Sequence, residues 1–233
     1  MALPKFEAPV YSLQLPSSGE TIKYRPFLVK EQKSLLLATN SNVTQQIDAI
    51  NGIIDNCTFG KLDDVSKLAS FDAEYLFLQI RAKSVGEKVQ MSLTCGHCEH
   101  KSDATLDVTT VGVKKTEGHT NSIEFGGDRI LKLRYPRLDE VEELANNRTV
   151  DGIIGLIATS IDSIWDGDEM YVATDYSKAE LVEFVEALSP GDLESIEQFF
   201  ETAPVLAHDI EWDCTECKEH NKIRVEGIQS FFA

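Results

Sequence analysis

Two pairs of cysteines carry the most distinctive chemistry of this 233-residue chain. Cys95 and Cys98 lie in the stretch LTCGHCEH, and Cys214 and Cys217 lie in WDCTECKEH. Two residues between the cysteines let both sulfurs of one tight turn face a single ion. Backbone N–H groups of such a turn can also hydrogen-bond the sulfurs. Thiolates suit zinc, which takes four ligands in a tetrahedron. One pair supplies only two, so two pairs must meet to complete a site. The spacing predicts one structural Zn2+ per chain, held by Cys95, Cys98, Cys214 and Cys217. Such a site is closed, with no coordination position left for substrate, and is therefore structural and not catalytic.

Three other readings compete. Each pair could recruit a nearby histidine, His97 or His100 for the first and His220 for the second, giving two sites that each lack a ligand. A C-x-x-C can be a redox pair of the thioredoxin type, although that motif opens a helix after a strand and here a second strand is expected to follow. The turns could also be vestigial and bind nothing. The fifth cysteine, Cys57, sits in IIDNC at a helical apolar position and reads as a small buried hydrophobe.

The remaining polar residues are less informative. His119 falls in a polar linker and His208 opens a strand. Acidic pairs such as Glu142–Glu143 and Asp63–Asp64 read as solvated faces. The stretch WDGDEMY reads as a turn, because it lacks the ligand periodicity of a calcium-binding loop. No P-loop, dinucleotide fingerprint, nucleophile elbow or HExxH occurs. Nothing here reads as an enzyme or a small-molecule binder. The closing IQSFFA places two aromatics at the chain end, as a core-docking tail or as an anchor for a partner's groove.

Charge narrows the partners. Acidic residues outnumber basic ones 39 to 22, for a net charge of −17, and no basic block appears. A groove that neutralises phosphates needs clustered Lys and Arg, so nucleic acid is not expected as a direct partner. Hydrophobic residues make up 42%, enough for a core. No run approaches the roughly 20 apolar residues of a membrane helix. An odd cysteine count and an opening without the order of a signal peptide argue for a soluble, intracellular chain without a disulfide framework.

The elements that would position the cysteines come in a repeating order. VYSLQL and ETIKYRPF flank a PSSG turn and predict a hairpin. Val43, Ile47, Ile50 and Ile54 recur at helical spacing, as do Ala73, Leu76, Phe77 and Ile80. EKVQMSLT and SDATLDV predict strands flanking the first cysteine turn. After the polar segment GVKKTEGHT the order begins again. NSIEF and RILKLRYP flank GGD, LDEVEELANN reads as helix, and Ile154, Ile157, Ile161 and Ile164 repeat the helical spacing. Two further helices follow, SKAELVEFVEAL with a Ser177–Glu180 capping box and GDLESIEQFFETA. The strands AHDIEWD and KIRVEG then flank the second cysteine turn.

The order and the local matches, IDAINGIIDNCTFG with IGLIATSIDSIWDG among them, predict an internal duplication. The expected fold is α+β, with two duplicated halves related by a pseudo-two-fold. Each half has a β-hairpin, helices and a C-x-x-C zinc-knuckle hairpin. The halves are residues 1–112 and 120–233, joined by a linker at 113–119 and forming one integrated unit. The second half carries an extra helix. A two-fold between related halves brings equivalent turns face to face, with the ion on the axis.

Four stretches, PVYSLQLPSSGETIKYRPFLVKEQK, RAKSVGEKVQMSLTCGHCEH, CTECKEHN and VEGIQSFFA, resemble the baseplate hub proteins of T-even-type contractile-tailed bacteriophages, the family that includes their gene-26 product. The resemblance implies a non-enzymatic role in tail assembly, as a hub component or hub assembly factor. It implies other hub or tail proteins as partners, with no nucleic acid, membrane or small-molecule substrate. The place implied is the host cytoplasm during assembly, or the tail baseplate of the virion. The resemblance brings no catalytic residues, and the metal assignment rests on spacing and duplication instead. The rival classes are a zinc-ribbon nucleic-acid-binding or transcription-associated protein, and a thiol oxidoreductase. The first requires a basic surface near the knuckles, where Glu99, Asp103, Asp213, Glu216 and Glu219 offset Lys101, Lys218, Lys222 and Arg224.

Overall fold

A computed structural model describes residues 7–38, 41–146 and 149–227; the IQSFFA segment lies outside them. In chain order the first elements are β1 (Tyr11–Gln14), β2 (Thr21–Tyr24), α1 (Val29–Ala38), α2 (Val43–Cys57), α3 (Ser70–Val85), β3 (Lys88–Thr94), β4 (Lys101–Asp107) and β5 (Gly112–Lys114). There follow β6 (Ser122–Phe125), β7 (Arg129–Leu133), α4 (Leu138–Asn146), α5 (Val150–Ser160), β8 (Ile161–Asp166), β9 (Glu169–Val172), α6 (Lys178–Glu186) and α7 (Pro190–Thr202). The last two strands are β10 (Val205–Asp213) and β11 (His220–Glu226). The fold is mixed α+β. Among the described residues no helix is long and apolar enough to cross a membrane.

The chain divides into two compact units, Met1–Lys114 with Val205–Ala233, and Lys115–Pro204. These differ from the sequence halves for a physical reason. The segment read as a linker contains β5, and β10 pairs with it, Val205 opposite Lys114 and Ala207 opposite Gly112. A three-residue strand has no periodicity of its own, and only its distant partner defines it.

In the first unit, β1 and β2 form an antiparallel hairpin with Tyr11 opposite Tyr24. Its turn is fixed by Asp72 in the first turn of α3, whose buried carboxylate accepts from the Ser17 N–H at 3.1 Å and from the Ser17 hydroxyl. Helix α2 starts at Asn42, whose side chain accepts from the Gln45 N–H. Helix α3 is buried on two sides. Ala73, Leu76, Phe77 and Ile80 join Ile53, Ile54 and the hairpin residues Ile22 and Tyr24 in one core. Leu78 and Ala82 join Val89, Leu106, Leu206 and Val225 in a second core. That second core lies against the knuckle strands, β3 with β4 and β11–β10–β5. Each fully buried Ile or Leu contributes about 1.5–3 kcal/mol. Cys57 is fully buried in the first core, as its position in the sequence predicts, and burial pushes its thiol up to about 11.

The second unit is a four-stranded antiparallel sheet in the order β6–β7–β8–β9, with helices closing a core of Leu131, Leu133, Ile157, Ile161, Ile196 and Phe199. Helix α6 begins with the expected Ser177–Glu180 capping box, and α7 begins with another, Ser189–Asp192, followed by Pro190. The apolar series Ile154, Ile157, Ile161 and Ile164 does not stay helical. Helix α5 ends at Ser160, and Ile161 and Ile164 belong to β8, opposite Leu133 and Leu131 of β7. Besides helix α6, the second half therefore carries an additional hairpin, β8 with β9.

One local device occurs twice. Arg25 donates to Pro26 O and to Glu31, and Glu31 accepts from the Leu28 N–H. Arg134 donates to Tyr135 O and to Glu140, and Glu140 accepts from the Arg137 N–H. The Arg25 N–H donates to Cys57 O at the end of α2, and the Arg134 N–H to Ser160 O at the end of α5. Each arginine ties a hairpin to the two helices that follow. Burial raises both carboxyls, but the arginine and backbone N–H bonds outweigh it and hold them low. This places Cys57 opposite Ser160, a different register from the one that sets Ile54 against Ile161.

Candidate metal centre

Both cysteine pairs sit in turns between antiparallel strands. Lys88–Thr94 pairs with Lys101–Asp107 through the full strand, and Ala207–Asp213 pairs with His220–Glu226. The two turns are built alike. The Cys95 N–H donates to His100 O and the Glu99 N–H to Cys95 O; the Cys214 N–H donates to Glu219 O and the Lys218 N–H to Cys214 O. Glu99 and Lys218 take left-handed backbone conformations, with φ of 60° and 64°, the cost of a tight reversal with no glycine at that position. A strand follows each turn, so neither pair opens a helix as a thioredoxin-type motif does.

The structure brings the two turns together. The sulfurs of Cys95, Cys98, Cys214 and Cys217 all lie within 4.8 Å of one another. Cys95 Sγ is 3.7 Å from Cys217 Sγ, and Cys98 Sγ is 3.6 Å from Cys214 Sγ. Four sulfurs at zinc–thiolate distance around one ion would be about 3.8 Å apart. The donor set and its spacing therefore fit a tetrahedral thiophilic cation. The cluster contains no histidine; the His220 ring is paired with Asp213 at 3.0 Å instead.

The contacts around the sulfurs are reciprocal. The first cysteine of each turn meets the second cysteine of the other. Gly96 N–H donates to Asn221 Oδ1 at 3.0 Å. Thr215, the residue after Cys214, meets Ser102 hydroxyl to hydroxyl at 3.3 Å. Ser102 stands seven residues after Cys95 as Asn221 stands seven after Cys214. Both are buried. Isologous contacts of this kind arise when two like surfaces meet about a two-fold. Neither Ser102 nor Asn221 stands out in the sequence; only aligning the knuckles on each other reveals them.

The thiol chemistry follows the same pattern. Cys95 is drawn down to about 6, first by the His97 N–H and then by the Cys98 N–H, the Asn221 amide and Cys217. Cys214 is lowered by the Cys217 and Glu216 N–H groups. The His100 and Glu219 N–H groups favour the thiolates of Cys98 and Cys217, but desolvation and the neighbouring sulfurs outweigh them. Both thiols are raised, Cys217 to about 12. Each lowered sulfur thus lies against a raised one across the junction, Cys95 against Cys217 and Cys214 against Cys98. A bound divalent cation would favour ionisation of all four sulfurs.

Three of the four basic residues near the knuckles are engaged. Lys222 pairs with Glu211 at 2.9 Å, Arg224 with Glu226 at 2.6 Å, and Lys218 donates to Thr215 O at 2.7 Å.

A family model described as T4 bacteriophage base plate protein matches residues 8–233. No curated protein and no solved structure matches the chain.

Proposed function

Because this chain belongs to the T4 bacteriophage base plate protein family, we propose that it is a non-enzymatic baseplate hub component or hub assembly factor stiffened by a structural Zn2+. Cys95, Cys98, Cys214 and Cys217 hold the ion, which clamps the knuckle hairpins of two duplicated halves about a pseudo-two-fold. The halves are those of the sequence, 1–112 and 120–233 joined through 113–119. Its partners are other hub or tail proteins, met in the host cytoplasm or in the virion baseplate.

The observation that carries the metal reading is the reciprocal four-sulfur cluster, in which no sulfur is more than 4.8 Å from another. Duplication is supported by the matched turns and the repeated Arg25–Glu31 and Arg134–Glu140 clamps. The ion supplies a cross-link and no reactive position. Residues 95 and 98 are thereby tied to residues 214 and 217, which lends stiffness to a part that bears load.

Two measurements on the natural system test this. Elemental analysis of the purified chain is expected to find about one zinc per chain. Mass spectrometry of tail precursors and finished particles is expected to find the chain with hub proteins. A metal-free protein overturns the clamp, and absence from every tail intermediate and particle overturns the hub role.

A further inference from the structure

The β1–β2 hairpin has an open side. The Leu15 N–H donates to Glu20 O, and antiparallel alternation then turns the backbone groups of Tyr11 and Leu13 toward β2 and those of Ser12 and Gln14 away from it. Among the described residues, no protein group bonds those outward N–H and C=O groups and no third strand joins this sheet. All five residues from Val10 to Gln14, of both side-chain orientations, line one groove of about 1260 Å3, as they do when a groove follows a strand's edge. Its far wall is one stripe of α3, with Tyr75, Gln79 and Lys83 at successive turns.

The lining is chemically unusual for this chain. It includes three tyrosines, two glutamines and two lysines, and no Asp or Glu, in a protein with 39 acidic residues. Lys23 is exposed and makes no ion pair among the described residues. Lys83 pairs with Glu87 and lies 5.5 Å from the centre of the Tyr11 ring.

A corresponding groove in the second unit shows what closes such a place. It lies between β6 and α7, where Gln198 stands sixteen residues before Cys214 as Gln79 stands sixteen before Cys95. There the chain's own residues 117–120 line the groove, and the His119 ring is held by Thr202 and Tyr135 and stacks on Phe199. That groove is only about 310 Å3 and carries two carboxylates, Glu117 and Glu124.

We propose that the groove between β1 and α3 receives an extended acidic segment of another protein, which adds to β1 as a third antiparallel or parallel strand. Outward backbone groups at Ser12 and Gln14 supply the ladder. Apolar side chains of the segment lie toward Tyr11, Leu13 and Tyr75, and its carboxylates lie toward Lys23, which stands opposite Ser12 on the other face. A second copy of this chain is disfavoured by its net charge of −17. This site is separate from the cysteine cluster, and its failure leaves the metal reading untouched.

The test uses the full chain and a fluorescein-labelled alternating Val–Glu octapeptide, read by anisotropy, with Val–Lys as its counterpart. Saturable binding of Val–Glu alone is expected, with Lys23→Glu weakening it about tenfold. N-methylation of alternate peptide amides in one of the two phases should abolish binding, and in the other should spare it. Hydrogen exchange should slow at Ser12 and Gln14 and not at β6. The proposal is overturned by no binding, by equal binding of Val–Lys, by indifference to both N-methylation phases, or by protection elsewhere. Self-association that blocks the groove also overturns it.

Discussion

Asn221 accepts a hydrogen bond from the Gly96 N–H at 3.0 Å across a sequence separation of 125 residues. Its own Nδ2 donates to Glu219 O at 2.8 Å. The amide thus spans from one knuckle to the other and braces the turn it stands on. Asn221→Ala leaves the Gly96 N–H without its acceptor and is expected to cost about 1–3 kcal/mol. Zinc affinity should fall about 10- to 100-fold, as for other residues that orient ligands. Ser102→Ala, which breaks the longer contact, is expected to cost less. Denaturant titration and competition with a zinc chelator check both.

The four cysteines share one ion in the proposed clamp. Cys95→Ser and Cys214→Ser are therefore expected to lose metal equally, down from about one zinc per chain. Elemental analysis after dialysis is the measurement. Retention of metal by each variant through the intact opposite turn points to two independent sites.

The two arginine clamps are not equally deep. The Glu31 side chain is 3% exposed and Glu140 15% exposed. Glu31→Ala strands Arg25 in a largely buried place and is expected to cost about 3–5 kcal/mol. Glu140→Ala is expected to cost about 1.5–3 kcal/mol. Both carboxyls are held below 4.5 in the fold, so their stabilisation is complete above that pH and is lost as pH falls through the folded values. Urea midpoints at pH 7 and pH 4 read the order and the acid dependence.

His119 supplies a second pH dependence. Its Nδ1 is 2.9 Å from the Thr202 hydroxyl and its Nε2 3.1 Å from the Tyr135 hydroxyl. Thr202 Oγ1 donates to Gln198 O, which leaves it to accept from Nδ1–H, with Nε2 accepting from Tyr135. Burial and Lys115 lower the imidazole pKa below 6.5. The unfolded chain takes up the proton first, so stability falls as pH drops from about 6.5 toward the folded value. His119→Gln should be less stable at pH 7.5 and show a shallower loss between pH 7 and pH 5.5. Thermal unfolding across that range checks it.

The cysteine turns were legible because their chemistry is local: two residues between sulfurs, strands on both sides, and a second copy. Their meeting was inferable only through the repeat, and the structure brings the sulfurs together. The boundary between α5 and β8 was not legible. Ile157, Ile161 and Ile164 fit a helical period, and only pairing with β7 turns the last two into strand residues. Helix α1 gave no signal for a related reason. Val29, Leu36 and Leu37 are exposed, so its apolar residues trace no single buried stripe. His119 looked like linker because its partners, Tyr135, Phe199 and Thr202, come from distant segments.

Lys114 and Val205 face each other across a strand ladder, so the ninety residues between them leave and return at one point. The cysteine cluster joins the chain on either side of that excursion. Cys95 emerges from the ribosome 122 residues before Cys217, roughly 6–24 s at ordinary elongation rates. During that interval the chain carries only two of the cluster's four sulfurs. Closure of the cluster therefore waits until the whole excursion and the second knuckle have been made.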